Sequence, residues 1–237
     1  MAKRPEVLHD VRTVTYDQAH WTLLGQLRSH ATKIIHEIES SVAVQPLVHG
    51  SIARGDVSES SDIDIIILQP VSSYRLELAL GKSLQRELVQ ATPSMVLKGH
   101  LYLENSVVVS FPMFKLRPRE EEFYQWGGAL SLKGLEEGTR VPGVDKRLIL
   151  IEPNLTGHTE HGVIGHEHEV AKKLKVSVDI AKERVRVLTR RDSVGRTGVY
   201  LTRPLAESES FEEVAKQLQD SDPALRRTID RREGRRR

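Results

Sequence analysis

Cysteine is absent from the 237-residue chain, which excludes disulfides, thiolate catalysis and cysteine-ligated zinc or iron–sulfur centres. Any metal must therefore be held by oxygen or imidazole. Asparagine occurs only at Asn105 and Asn154, and methionine three times; beside abundant arginine and glutamate, that scarcity suits a hot environment. No apolar run approaches the ~20 residues needed to cross a bilayer. The opening Met1, Ala2, Lys3, Arg4, Pro5 has no apolar stretch after its charges, so neither membrane insertion nor secretion is expected and a cytoplasmic location is. Neither sign of charge dominates the whole chain, whose net charge is +2. Its two parts differ: residues 166–237 hold 18 Lys and Arg against 13 Asp and Glu, and the remainder 17 against 20. A basic C-terminal part points to polyanion binding. Much of the excess comes from Arg231, Arg232, Arg235, Arg236 and Arg237.

With 38% hydrophobic and 29% charged residues spread through it, the chain has material for a globular core, and its length suits two domains. Trp21, Leu24, Leu27, Ala31, Ile34, Ile35 and Ile38 recur at three- and four-residue spacing and predict an amphipathic helix over 16–40. A strand is expected over 42–48, a second over 63–68, a helix over 72–91, and a hairpin of strands 95–104 and 107–114 turning at Glu104, Asn105 and Ser106. Residues 115–147 read as a short helix and an ordered loop, followed by a strand over 148–151. The expected fold class is α/β (α+β), a mixed sheet with flanking helices. Its segments run over residues 1–115 (core), 116–160 (middle segment), 161–205 (a second domain) and 206–237 (helix and basic tail).

The chemistry concentrates in His49 to Leu68, H-G-S-I-A-R-G-D-V-S-E-S-S-D-I-D-I-I-I-L. Asp62 and Asp64 are two apart in an extended segment, so both carboxylates leave one face of the strand. Paired anions of this kind repel one another, and a hard divalent cation such as Mg²⁺ relieves the repulsion. Gly50 lets the backbone approach a ligand closely, and Ser51 can donate to phosphate oxygens. For Arg54 and Asp56 two readings stay open: Arg54 contacts a triphosphate while Asp56 orients it or caps the helix, or the two form a solvated turn pair.

The Gly50-Ser51 step, the loop carrying Arg54, Gly55 and Asp56, and the Asp62-Ile63-Asp64 strand together resemble the signature of the DNA polymerase β superfamily of nucleotidyltransferases, particularly its small archaeal and bacterial members. The resemblance extends from Leu47 to Met113. It implies a nucleoside triphosphate clamped by Gly50, Ser51 and Arg54, Mg²⁺ held by Asp62 and Asp64, and attack of an acceptor hydroxyl on the α-phosphorus with loss of pyrophosphate. Such folds carry a third acid on a later strand. Here the best-matching slot, within Val107 to Phe111, is Ser110, with Glu104 and Glu152 as possible substitutes. Arg117 and Arg119, just beyond that strand, read as an exposed charge run or as phosphate contacts.

A second constellation is helical. Val170, Ala171 and Leu174, then Ala181, Val185 and Leu188, form two apolar faces separated by Val176 and Ser177, and Asp192 to Pro204 reads as a hairpin wing. The segment resembles a winged-helix domain, whose exposed Lys182, Arg186, Arg190, Arg191 and Arg196 would contact nucleic acid. A winged helix used for protein contact is the alternative. His158, His161, His166 and His168, with Glu160 and Glu167, match no closed zinc pattern and read as a polar loop between domains. His20, His49 and His100 read as structural. Two functions follow: Mg²⁺-dependent nucleotidyl transfer to a hydroxyl, or a nucleic-acid-binding regulator whose degenerate core only binds nucleotide.

Overall fold

The computed structural model describes residues 4–195, 198–232 and 234. In chain order the elements are β1 (Arg12–Thr15), α1 (Gln18–Ser41), β2 (Leu47–His49), α2 (Ser51–Arg54), β3 (Ile63–Ile66), α3 (Ser73–Leu80), β4 (Gln85–Gln90), β5 (Lys98–Leu103) and β6 (Val107–Pro112). Next come α4 (Pro118–Gly127), β7 (Ala129–Ser131), α5 (Leu132–Glu136), β8 (Gly143–Val144), β9 (Ile149–Asn154) and β10 (Gly157–Gly162). The chain continues with α6 (Glu167–Leu174), α7 (Val178–Val194), β11 (Leu201–Pro204), α8 (Phe211–Ser221) and α9 (Pro223–Arg232). The fold is mixed α/β. Two compact units interleave along the sequence where four consecutive segments are expected: Met1–Thr32, Val48–Ser61 and Glu121–Thr197 form one, and Lys33–Leu47, Asp62–Glu120 and Gly198–Arg237 the other.

In the first unit, β1, β10, β9 and β8 form an antiparallel sheet in that order. Leu148, just before β9, and Leu150 of β9 pack with Trp126, Val163, and the apolar faces of α6 and α7 at Val170, Ala171, Leu174, Ile180 and Ala181. The helix-turn-helix expected from the apolar spacing is therefore present. Lys175 ends α6 in the left-handed conformation at φ 54°, and the Ser177 hydroxyl accepts from Ile180 N to cap α7.

The second unit holds the strand order β11-β4-β5-β6-β3, antiparallel except for the parallel β3–β6 pair. One face is apolar: Ile63 and Ile65, Val107, Val109 and Phe111, Leu101 and Leu103 are all buried. Phe211 of α8 meets Phe111 edge-on at 5.1 Å. Gly99 opposes Phe111 because a Cβ there would lie 2.3 Å from the ring.

Four expectations need correction. The helix expected over 72–91 ends at Gly81, φ 71°, and residues 85–90 are strand β4; Leu84 and Leu88 imitate a helical spacing, but pairing with β5 and β11 overrides it. Among the described residues no hairpin wing is present: Asp192–Val194 continue α7, and β11 instead covers the edge of β4. His158 and His161 are not in a loop but in β10. The C-terminal basic stretch is partly structural, since Arg231 and Arg232 form the last turn of α9.

Candidate functional site

Strand β2 delivers the chain to Gly50, whose φ of 78° and ψ of −137° suit glycine alone. A Cβ there would meet nothing within 4 Å, so the turn faces open space. Gly50 N donates to Gly128 O at 2.9 Å, tying the turn to the segment after α4. The single turn of α2 then closes with Gly55 N donating to Ser51 O at 2.6 Å. Arg28, buried on α1, donates to the Ile52 and Ala53 carbonyls at 3.0–3.2 Å and to Thr139 O at 2.7 Å. Burial, helped by Arg140, pulls its pKa down to about 10, which leaves it a cation at neutral pH. Nothing in the spacing around Arg28 signals this role, because it needs a tertiary approach of α1 to α2.

Arg54 is buried, and each of its three guanidinium nitrogens is engaged. Nε and Nη2 bind the two carboxylate oxygens of Asp56 at 2.9 and 3.0 Å, and Nη1 donates to Gly127 O at 2.5 Å. The pair is buried, so it is not the solvated turn pair that the sequence also allowed: Asp56 orients Arg54, and the two brace the loop. The Ser51 hydroxyl donates to Ser61 Oγ at 3.3 Å, and Ser61 Oγ also accepts from Ser58 N at 2.9 Å. Asp62 follows Ser61 directly in the chain.

In the second unit Asp62 and Asp64 are both exposed, at the start of β3. Register decides which residue neighbours the pair. Val108 lies directly opposite Asp64, and Ser110 lies opposite Ile66. Neither is an acid. Ser110 Oγ is hydrogen-bonded to His100 Nδ1 at 2.9 Å, and burial, with the Lys98 charge adding, pushes the His100 pKa down to about 4. Glu87 is the acid facing the same side, through the Glu87, His100, Ser110 row. It is buried, accepting from the Tyr102 hydroxyl at 2.5 Å and from Gln85 Nε2 at 3.1 Å. Burial first, then the Glu87 bond and the charges of Glu87 and Asp64, push the Tyr102 phenol up. Glu104 sits exposed in the β5–β6 turn. Glu152, in the first unit, is paired with Lys173 at 2.5 Å and His161 at 2.9 Å. Among the described residues no group of three or more His, Asp or Glu is arranged to hold a metal. The donor set at β3 is two carboxylates, which matches Mg²⁺ brought in with phosphate oxygens better than a resident ion in a protein cage.

On α7, Lys182, Arg186 and Arg190 are exposed at four-residue intervals, one stripe of the helix, with Arg191 exposed beside them. Arg196 lies outside the described residues. Arg117 and Arg119 are exposed.

Residues 32–124 match the family model of the nucleotidyltransferase domain. The matched stretch contains the Gly50 turn, the Arg54–Asp56 brace, both aspartates and the β5–β6 hairpin. It covers less than half of the chain; β1, β7 to β11 and α5 to α9 lie outside it. No curated protein and no solved structure matches the chain. Among the described residues no helix is long and apolar enough to cross a membrane.

Proposed function

We propose that the protein moves a nucleoside monophosphate from a nucleoside triphosphate to a hydroxyl acceptor and releases pyrophosphate. The acceptor oxygen forms a bond to the α-phosphorus while the bond from that phosphorus to the β-phosphate oxygen breaks. The observation that carries this reading is a glycine-only turn facing open space, followed by two exposed carboxylates on one strand, inside the stretch that matches the nucleotidyltransferase model. Gly50 and Ser51 hold the phosphates, and Asp62 and Asp64 hold Mg²⁺. When bound, the ion supplies Lewis acidity and charge neutralisation at the phosphates. Arg54, engaged with Asp56 and Gly127, keeps the loop in shape. A triphosphate substrate, an intracellular metabolite, supports a cytoplasmic location.

The test is titration with each nucleoside triphosphate, with and without Mg²⁺, for the wild type and the Asp62→Ala, Asp64→Ala double variant. Metal-dependent binding in the wild type and its loss in the variant are expected; equal metal dependence in both overturns the assignment.

A second reading is favoured by Val108 opposite Asp64 and by the cationic stripe on α7: a nucleic-acid-binding regulator that binds nucleotide without turnover. It predicts binding of duplex or structured RNA that weakens steeply with salt and is lost when Lys182, Arg186 and Arg190 become alanine.

A further inference from the structure

The first unit contains a cleft of about 470 Å³ whose walls are β1, β10 and the loop from Asp56 to Ser58. Its size is that of a small-molecule site. Most of it is built outside residues 32–124, by elements the nucleotidyltransferase match does not include.

The lining offers a phosphate no guanidinium that is not already paired. Of its carboxylates, Asp56 is paired with Arg54, Glu160 with Arg147 and with Arg12 at 3.3 Å, and the exposed Asp17 accepts from His20 N at 2.8 Å; Arg147 is the one guanidinium among the lining side chains. That guanidinium is already taken, by Asp145 at 2.7 Å and Glu160 at 2.5 Å, with Glu6 at 3.7 Å. His158 adds no positive charge at neutral pH, because burial holds its pKa below the usual imidazole value despite the nearby Asp56 and Glu160 carboxylates. Its Nδ1 is bonded to the Tyr16 hydroxyl at 2.6 Å, and its buried Nε2 lies 3.5 Å from Glu160 Oε1. The accessible rim is made of groups that exchange hydrogen bonds with hydroxyls: Thr15, Asp17 and Ser58, all exposed, and the half-exposed His20.

The cleft also connects to the phosphate turn. Ser58 N and Ser51 Oγ both donate to Ser61 Oγ, so the rim is one serine away from the residue proposed to hold phosphate. We propose that this cleft binds the acceptor of the transfer reaction, and that the acceptor is a small hydroxylated molecule without negative charge. The inference rests on the nucleotidyl-transfer reading for the word acceptor, but the cleft's preference is measurable without it. A polynucleotide, being a polyanion, is the wrong occupant.

The test uses three sugars matched in size and differing in charge: glucosamine, glucose and glucuronate. Each is titrated into the full chain without triphosphate or metal, with the backbone amides followed by heteronuclear NMR. Glucosamine and glucose are expected to move the Thr15, Asp17, Ser58 and His158 amides, and glucuronate to leave them in place. Thr15→Arg, or Ser58→Arg if the first variant misfolds, should weaken glucosamine binding at least tenfold without lowering the melting temperature. The proposal is overturned if glucuronate or a short RNA moves these amides as strongly, if none of the three sugars moves them, or if the arginine variants bind as the wild type does. Failure of Mg²⁺-dependent triphosphate binding would instead remove the catalytic reading and leave the cleft's charge preference standing.

Discussion

Arg54 and Asp56 form a bidentate pair with both side chains more than nine-tenths buried. Removing one partner of such a pair strands the other charge in a poorly solvated site, at a cost of about 3–5 kcal/mol. Arg54→Ala is therefore expected to destabilise the protein by that order in urea unfolding, and to weaken triphosphate binding through a loosened loop. A variant as stable as the wild type would mean that the pair is not the brace inferred here. Gly50→Ala acts differently. The space for a methyl group exists, so the cost is backbone strain alone, about 1–3 kcal/mol. His100 titrates against stability. Its folded pKa of about 4 lies below the ~6.5 of an unfolded histidine, so the unfolded chain binds more protons between those values. The contribution is complete above pH 6.5 and is lost as pH falls towards 4. Denaturation across that window should be flatter in His100→Asn.

Strand register shows which residue of β6 neighbours the aspartates. The parallel pairing of β3 with β6 sets Val108, not Ser110, beside Asp64. Val108 is half-exposed and can accept a carboxylate there, whereas Ser110→Asp breaks the bond to His100. Val108→Asp is expected to raise Mg²⁺-dependent pyrophosphate release, and Ser110→Asp is not. A gain from Ser110→Asp alone would show that the serine holds the third-acid slot after all. On α7 the same logic of faces applies: Ile180 and Ala181 enter the core while Lys182, Arg186 and Arg190 point to solvent.

For the second unit as a whole, the C-terminal helix is a fastener. Arg232 binds both Glu120 oxygens at 2.6 and 2.7 Å, with side chains 2% and 9% exposed, and also donates to the Lys115 and Ser94 carbonyls. Burial alone would push the Glu120 carboxyl up, but bonds from Arg232, Arg117 N and Val96 N outweigh it and hold the pKa below the usual value. A depressed acid stabilises the fold above its unfolded pKa and loses that contribution as pH falls through the folded one. Acid unfolding followed by circular dichroism should thus begin at higher pH in Arg232→Met than in the wild type.

The local code was sufficient for α1, the β5–β6 hairpin, the Gly50 turn, the paired aspartates and the two helices α6 and α7. Each rests on spacing within a few residues or on a backbone conformation only glycine adopts. The tertiary structure alone decided that β4 is a strand, that β11 covers its edge, that Arg54 turns inward to Asp56 and Gly127, and that Arg232 is buried. These depend on partners that are 2 residues away for one bond and 73 or 112 away for others. An arginine in a sequence carries no mark of whether a carboxylate will meet it. Burial makes that choice, because a guanidinium shielded from water must find its acceptors within the fold.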